Sequence, residues 1–218
     1  MYKLCIFDLD GTLVNSLRDL ADAMNYALRQ HGFASHETEK YRMMVGSGIS
    51  VLADRAMGTP VPADDVKQAV LRDFSGYYNS HCLDATRPYD GIVEMLEKLT
   101  ADGIRFAVNS NKPDAFSGYI VRSLFPDLPF AAVVGKRDDL ERKPAPDGIF
   151  EILRQTGLRT SDCIYIGDSD VDVYTAKNAG VAFCGVKWGF RSSQELQQAG
   201  ADRIAETPQA LLSYITGS

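Results

Sequence analysis

No stretch of these 218 residues approaches the roughly 20 consecutive apolar residues that a membrane-spanning helix requires. No basic run is present either. Lys and Arg number 23 against 29 Asp and Glu, a net charge of −6, which argues against nucleic acid or an anionic membrane surface as partner. Cysteine is sparse: Cys5, Cys82, Cys163 and Cys184 lie far apart with no C-x-x-C, so neither a zinc site nor a redox dithiol is expected. Cys5, Cys163 and Cys184 fall in apolar, strand-like runs, where a free thiol packs as a small hydrophobe. His31, His36 and His81 lack ligand spacing and are expected to face solvent. Repeats and low-complexity tracts are absent. The first apolar run starts almost at Met1 and leaves no room for a signal peptide, so a reduced, cytoplasmic protein is expected.

What is present divides into two regimes. From Ser16 to about His81 the chain reads as helices only. Ser16, with Asp19 three residues on, suggests a capping box ahead of the apolar stripe Leu20, Met24, Ala27 and Leu28. Shorter helical patterns cover Glu37–Met44 and Ile49–Met57, and Asp64 or Asp65 is placed to cap a longer helix through Val66, Val70, Leu71 and Phe74. From Pro88 onward helix and strand alternate, with strands expected at Ile104–Val108, Ala131–Val134, Ile164–Ile166 and Ala182–Val186. Alternation of this kind implies parallel crossovers and a sheet covered on both faces. The expected architecture is an α/β, doubly wound, Rossmann-like parallel-sheet core of residues 1–14 and 85–218. An all-helical module, residues 15–84, is inserted after the first strand, with hinges near Leu13–Asn15 and Leu83–Pro88.

The polar residues sort to one edge of that sheet. Ligands of open parallel sheets bind outside the carboxyl ends of the strands. Asp8 and Asp10 end the first strand, Asn109-Ser110-Asn111-Lys112 follows the second, and Lys143-Pro144-Ala145-Pro146 lies in the loop after the third. Gly167-Asp168-Ser169-Asp170-Val171-Asp172 follows the strand at Ile164–Ile166. Two carboxylates one residue apart beside a core are costly to hold together unless a cation or proton shares the site.

The sequence D-x-D-G-T at Asp8–Thr12, a strand ending in Ser110, K-P-x-P at Lys143–Pro146 and G-D-S-x-x-D at Gly167–Asp172 resembles the four motifs of the haloacid-dehalogenase superfamily. Arg87-Pro88-Tyr89-Asp90-Gly91 and Trp188-Gly189-Phe190 resemble its phosphoglycolate-phosphatase branch, and the helical insert sits where that family carries a mobile cap. The resemblance implies a Mg²⁺-dependent phosphatase acting on a small phosphorylated metabolite. It implies Asp8 as nucleophile, Asp10 as general acid and base, and Lys143 as cation on the phosphoryl oxygens. Ser110 and backbone N–H groups near Gly11 and Asn111 would complete the phosphate cradle. Asp8, Asp168 and the Asp10 carbonyl are implied metal ligands, with Asp172 a ligand or the holder of a metal-bound water. In the cap, Gly46-Ser47-Gly48 and Arg42 are candidates for choosing substrate.

Plainer readings compete at each position. Asp8 and Asp10 could cap a turn, Ser110 could cap the following helix, and Lys143 could be a solvated charge. Asp172 could only support its loop, Asp170 reads as solvated, Gly46-Ser47-Gly48 could be a tight turn and Arg42 an exposed helix residue. Trp188 reads as packing below the rim. Other functions stay open: a β-phosphoglucomutase-type mutase, an inorganic pyrophosphatase or a nucleotidase. From another class, a receiver-like module that accepts phosphate on Asp shares several residue types, but no large helical insert follows a receiver's first strand. The oligomeric state has no signature in the sequence.

Overall fold

The computed structural model describes residues 2–60 and 62–217. In chain order the strands and helices are β1 (Leu4–Phe7), β2 (Val14–Asn15), α1 (Leu17–Gln30), α2 (Ile49–Met57), α3 (Asp64–His81), β3 (Arg87–Pro88), α4 (Ile92–Ala101), β4 (Arg105–Pro113), α5 (Asp114–Leu124), β5 (Ala132–Lys136), α6 (Asp147–Thr156), β6 (Cys163–Gly167), α7 (Asp170–Ala179), β7 (Ala182–Val186), α8 (Ser193–Ala199), β8 (Ile204–Ala205) and α9 (Pro208–Thr216). Among the described residues six strands form a parallel sheet in the order β5-β4-β1-β6-β7-β8. β1 is thus interior, with Phe7 level with Val108 on one side and Ile166 on the other. Its four residues are fully buried, as both faces of a helix-covered parallel sheet demand. Leu4 and Ile6 pack on one face with Ile149 and Ile152 of α6 and Ala176 of α7. The pleat turns Cys5 and Phe7 to the opposite face.

The chain separates into two compact units, one comprising the chain up to Val14 and from Pro88 on, the other Asn15–Arg87. The second unit is helical. α1 packs on α3, where Tyr26 stacks on Tyr77 with centroids 4.5 Å apart. Short β2 and β3 form a separate two-stranded ribbon where the chain passes between the units. Among the described residues no helix is long and apolar enough to cross a membrane.

Several local expectations are corrected. Ser16 is the N-cap of α1 but makes no side-chain capping bond. Asp19, expected as its partner, instead accepts hydrogen bonds from the Ala85 N–H, the Thr86 N–H and the Thr86 hydroxyl. A carboxylate offered three donors by the return segment has no reason to turn to its own N-cap. The helical pattern over Glu37–Met44 is a 3₁₀ helix of Thr38–Met43, whereas Ala63, not Asp64 or Asp65, is the N-cap of α3. The histidines do not simply face solvent: His31 pairs with Asp73, His36 with the Ala56 carbonyl and His81 with Asp84. β4 runs five residues beyond Val108. Its register against β5 shifts between Asn109 and Pro113, four steps on β4 matching two on β5. That bulge carries Ser110, Asn111 and Lys112 at the sheet's carboxyl edge.

Candidate active site

Asp8 is the first residue past β1, its N–H bonded to the Ile166 carbonyl at 2.9 Å. The chain then folds back so that the Leu9 carbonyl accepts the N–H groups of Thr12, Leu13 and Val14. Gly11 occupies the left-handed region at φ 87°. A Cβ there would lie 2.3 Å from Asp168 Oδ2, so the close approach of this loop to the β6 loop depends on glycine. On the other side, Phe190 N–H donates to Asp168 Oδ2 at 2.7 Å and Thr12 Oγ1 to Asp168 Oδ1 at 3.4 Å. Trp188 is not mere packing. Its indole N–H donates to the Thr12 carbonyl at 2.9 Å, bracing the loop that carries Asp10 and Gly11.

Asp8, Asp168 and Asp172 are all buried, and each places one oxygen within 4.8 Å of the others. The Lys143 ammonium sits among them, 2.9 Å from Asp8 Oδ1 and 2.7 Å from Asp172 Oδ1. It is no solvated charge: the side chain is 3% exposed. Beneath it, Tyr165 on β6 accepts a hydrogen bond from Lys143 Nζ at 3.2 Å and donates to the Asn109 carbonyl. Burial pushes the Asp8 carboxyl well up, and Asp172 and Asp168 add to this, while Lys143 opposes it. Asp168 is pushed up to about 7, first by burial and then by the charge of Asp172. Burial works to lower Lys143, yet Asp172 and Asp8 hold it well above the usual lysine value. Three carboxylates facing one close ammonium leave negative charge that a divalent cation would answer, and clustered oxygen donors suit a hard cation such as Mg²⁺.

The remaining residues take specific places. Asp172 is the N3 residue of α7; its Oδ2 accepts from the Ser169 N–H and hydroxyl while its Oδ1 meets Lys143. Both oxygens thus support the loop and place the ammonium, and the carboxylate also belongs to the cluster that could hold a metal ion. Asp170 is exposed. Asn111 turns its side chain onto the Lys143 backbone, accepting the N–H at 2.8 Å and donating to the carbonyl at 3.2 Å. Ser110 does not cap α5, whose N-cap is Pro113; its Oγ accepts from the Lys112 N–H at 3.2 Å. Asp10, at the mouth of the group, pairs with Lys112 at 3.1 Å.

In the helical unit, Gly46 and Gly48 have φ of 107° and 88°, and Gly48 is the N-cap of α2. Arg55 of α2 ties this loop, donating to the Met44 carbonyl at 2.8 Å and to Ser47 Oγ at 3.4 Å. Arg42 lies 2.9 Å from Glu39.

The family profile described as Haloacid dehalogenase-like hydrolase matches residues 5–186. The chain belongs to the haloacid dehalogenase-like hydrolases. A phosphoglycolate phosphatase from Rhodospirillum rubrum is 36% identical to it, over 92% of this chain and 86% of the relative. A phosphoglycolate phosphatase from Colwellia psychrerythraea is 30% identical, over 96% of this chain and 95% of the relative. Among solved structures, a candidate phosphoglycolate phosphatase from Lactobacillus delbrueckii subsp. bulgaricus superposes with a TM-score of 0.94 at 35% identity, covering 100% of this chain and 99% of that one. The parallel sheet with a helical insert after β1 is the architecture of this family.

The sequence suggests no role for Lys112, Tyr165 or Arg55. Lys112 had a signal, since it closes the Ser110-Asn111-Lys112 phrase. Tyr165, inside the apolar run Cys163–Gly167, reads as one more core aromatic.

Proposed function

We propose that this hydrolase cleaves a small organic phosphate monoester, 2-phosphoglycolate or a close analogue, through a phosphoryl group carried on Asp8. The observation that carries the reading is the buried Lys143 ammonium 2.9 Å from Asp8, set among three clustered carboxylates. The phosphoglycolate phosphatases among its relatives support the substrate class.

Phosphate monoesters are dianions whose uncatalysed hydrolysis is among the slowest known, so ~20 kcal/mol of barrier lowering is at stake. In the proposed mechanism Lys143 draws charge from the phosphoryl oxygens, with Ser110 and backbone N–H groups beside Gly11 and Asn111 as further donors; the Gly11 N–H itself is engaged by the Val14 carbonyl at 2.9 Å. The Lys143 and Leu9 contacts of Asp8 both fall on Oδ1, which supports Oδ2 as the attacking oxygen. The Asp8–phosphorus bond forms as the phosphorus–oxygen bond to the substrate alcohol breaks, and the Asp10 carboxylic acid gives its proton to the departing oxygen. Water then attacks phosphorus while Asp10 takes a proton back, freeing inorganic phosphate and the Asp8 carboxylate. A Mg²⁺ ion held by Asp8, Asp168 and the Asp10 carbonyl would offset the repulsion between nucleophile and dianion. Asp172 holds Lys143 and its own loop. Arg42, Gly46, Ser47 and Gly48 are proposed to select the substrate.

The test is kcat/KM with Mg²⁺ over 2-phosphoglycolate, pyrophosphate, sugar phosphates and nucleotides. Highest values on 2-phosphoglycolate are expected; rates spread evenly over the panel would replace this reading with a scavenging role. Asp8→Asn is expected to abolish phosphate release with an unchanged circular dichroism spectrum, and a variant that still turns over removes Asp8 as nucleophile. EDTA is expected to silence the enzyme, and a resistant rate would contradict the metal assignment.

A further inference from the structure

We propose that Lys112 is a positioning residue that aims the Asp10 carboxyl group at the leaving oxygen of the substrate. The inference rests on the reading of Asp10 as proton donor given above.

Lysine side chains ordinarily bury their stems and keep the ammonium in water. Lys112 does not: its side chain is 3% exposed, and Nζ lies 3.1 Å from Asp10 Oδ2, whose own side chain is 16% exposed. Taking an ammonium out of water costs several kcal/mol unless a fixed opposite charge receives it. The backbone of Lys112 is held on several sides. Its N–H donates to Ser110 Oγ at 3.2 Å and its carbonyl accepts from Ser117 Oγ at 3.3 Å. A Cβ on Gly135 would come within 2.7 Å of that carbonyl, so β5 packs closely against it. The stem therefore leaves an anchored point in the β4 bulge. Asn111, the preceding residue, is committed to the Lys143 backbone. Adjacent residues of one bulge thus serve the two ends of the reacting bond. Asn111 fixes the cation beside the nucleophile, and Lys112 fixes the group beside the leaving oxygen. Asp10 sits in a loop at the mouth of the site, where a short carboxylate has several rotamers available. The charged contact of Lys112 on Oδ2 selects among them.

A proton donor matters in proportion to the basicity of the leaving oxygen. The test compares kcat/KM, which reports every step through departure of the alcohol, for phenyl phosphate and p-nitrophenyl phosphate. Neither carries a carboxylate that Lys112 could bind, and phenolate is the far more basic leaving group. Lys112→Met is expected to lose about 100-fold on phenyl phosphate, the lower range for a positioned acid, and less than 10-fold on p-nitrophenyl phosphate. Lys112→Arg is expected to restore most of the difference. Asp10→Asn is run beside them. If Asp10→Asn loses activity equally on both substrates, the reading of Asp10 fails and the inference with it. If Asp10→Asn is selective and Lys112→Met is not, the role of Lys112 alone is overturned. Should Lys112→Met not fold, the same ratio measured on Lys112→Gln and Lys112→Arg decides. Equal losses on both substrates in Lys112→Gln, or a Lys112→Arg that discriminates between them as strongly as Lys112→Gln, would overturn the proposal.

Discussion

Asn111 grips Lys143 by its backbone, with the Asn111 carboxamide accepting from the Lys143 N–H at 2.8 Å and donating to its carbonyl at 3.2 Å. The clasp joins the β4 bulge to the loop before α6, and both residues are buried. Asn111→Ala orphans a buried N–H and carbonyl, which costs about 1–3 kcal/mol, and frees the ammonium to drift. We expect a matching drop in urea-unfolding stability and a fall in kcat of about 100-fold, the order of effect that a misplacement of ~1 Å produces.

Lys143 compensates more than one carboxylate at once. Lys143→Met leaves Asp8 and Asp172 without their shared partner, a change that costs about 3–5 kcal/mol when one member of a buried pair is removed. Because the two groups act as a unit, Lys143→Met combined with Asp172→Asn is expected to lose less stability than the two single losses added together. Denaturant unfolding of the four proteins measures that coupling, and the phosphatase assay is expected to be silent whenever Lys143 is absent.

Asp19 supports a different part of the chain. Its carboxylate receives three donors from Ala85 and Thr86, at 2.9, 2.8 and 2.6 Å. Asp19→Ala is expected to cost about 3 kcal/mol or more, since the acceptor is charged and the donors would be stranded. Asp19→Asn keeps an acceptor and should cost less. Faster amide exchange at Ala85 and Thr86 in the alanine variant, with exchange at β6 unchanged, would locate the effect.

The thiols give a pH signature. Burial pushes Cys163 and Cys184 up to about 11, with the nearby Asp162 adding to the shift at Cys163. Burial raises Cys5 further. A folded value above the unfolded one means that this contribution to stability is complete below about 9 and is lost as pH rises through about 11. All four cysteines lie outside any disulfide and are buried. Dithionitrobenzoate at pH 8 is therefore expected to label the folded protein slowly and all four thiols at once in guanidinium.

Much of this site was legible because parallel-sheet geometry turns a linear string of motifs into a shared edge. Asp8, Ser110, Lys143 and Asp168 all follow apolar runs or their loops, so knowing where strands stop was enough to gather them. What stayed hidden depended on partners distant in sequence. Asp19 sits three residues after Ser16 and looks like a capping residue, whereas its donors lie 66 and 67 positions away. Tyr165 carries no polar flag within its apolar run, and only the arrival of Lys143 from another loop makes its hydroxyl matter. The extension of β4 past Val108 was masked by Asn109–Lys112, polar residues that read as a loop yet are buried here. β8 and α9 escaped notice, although Thr207 caps the Ala210 N–H and Pro208 stands in the first turn, both ordinary helix-start signals.

β1 sits between β4 and β6, so it pairs with segments that follow it by about 100 and 160 residues. A growing chain consequently carries Asp8 and Asp10 through more than 130 further residues before Lys143 and Asp168 can join them.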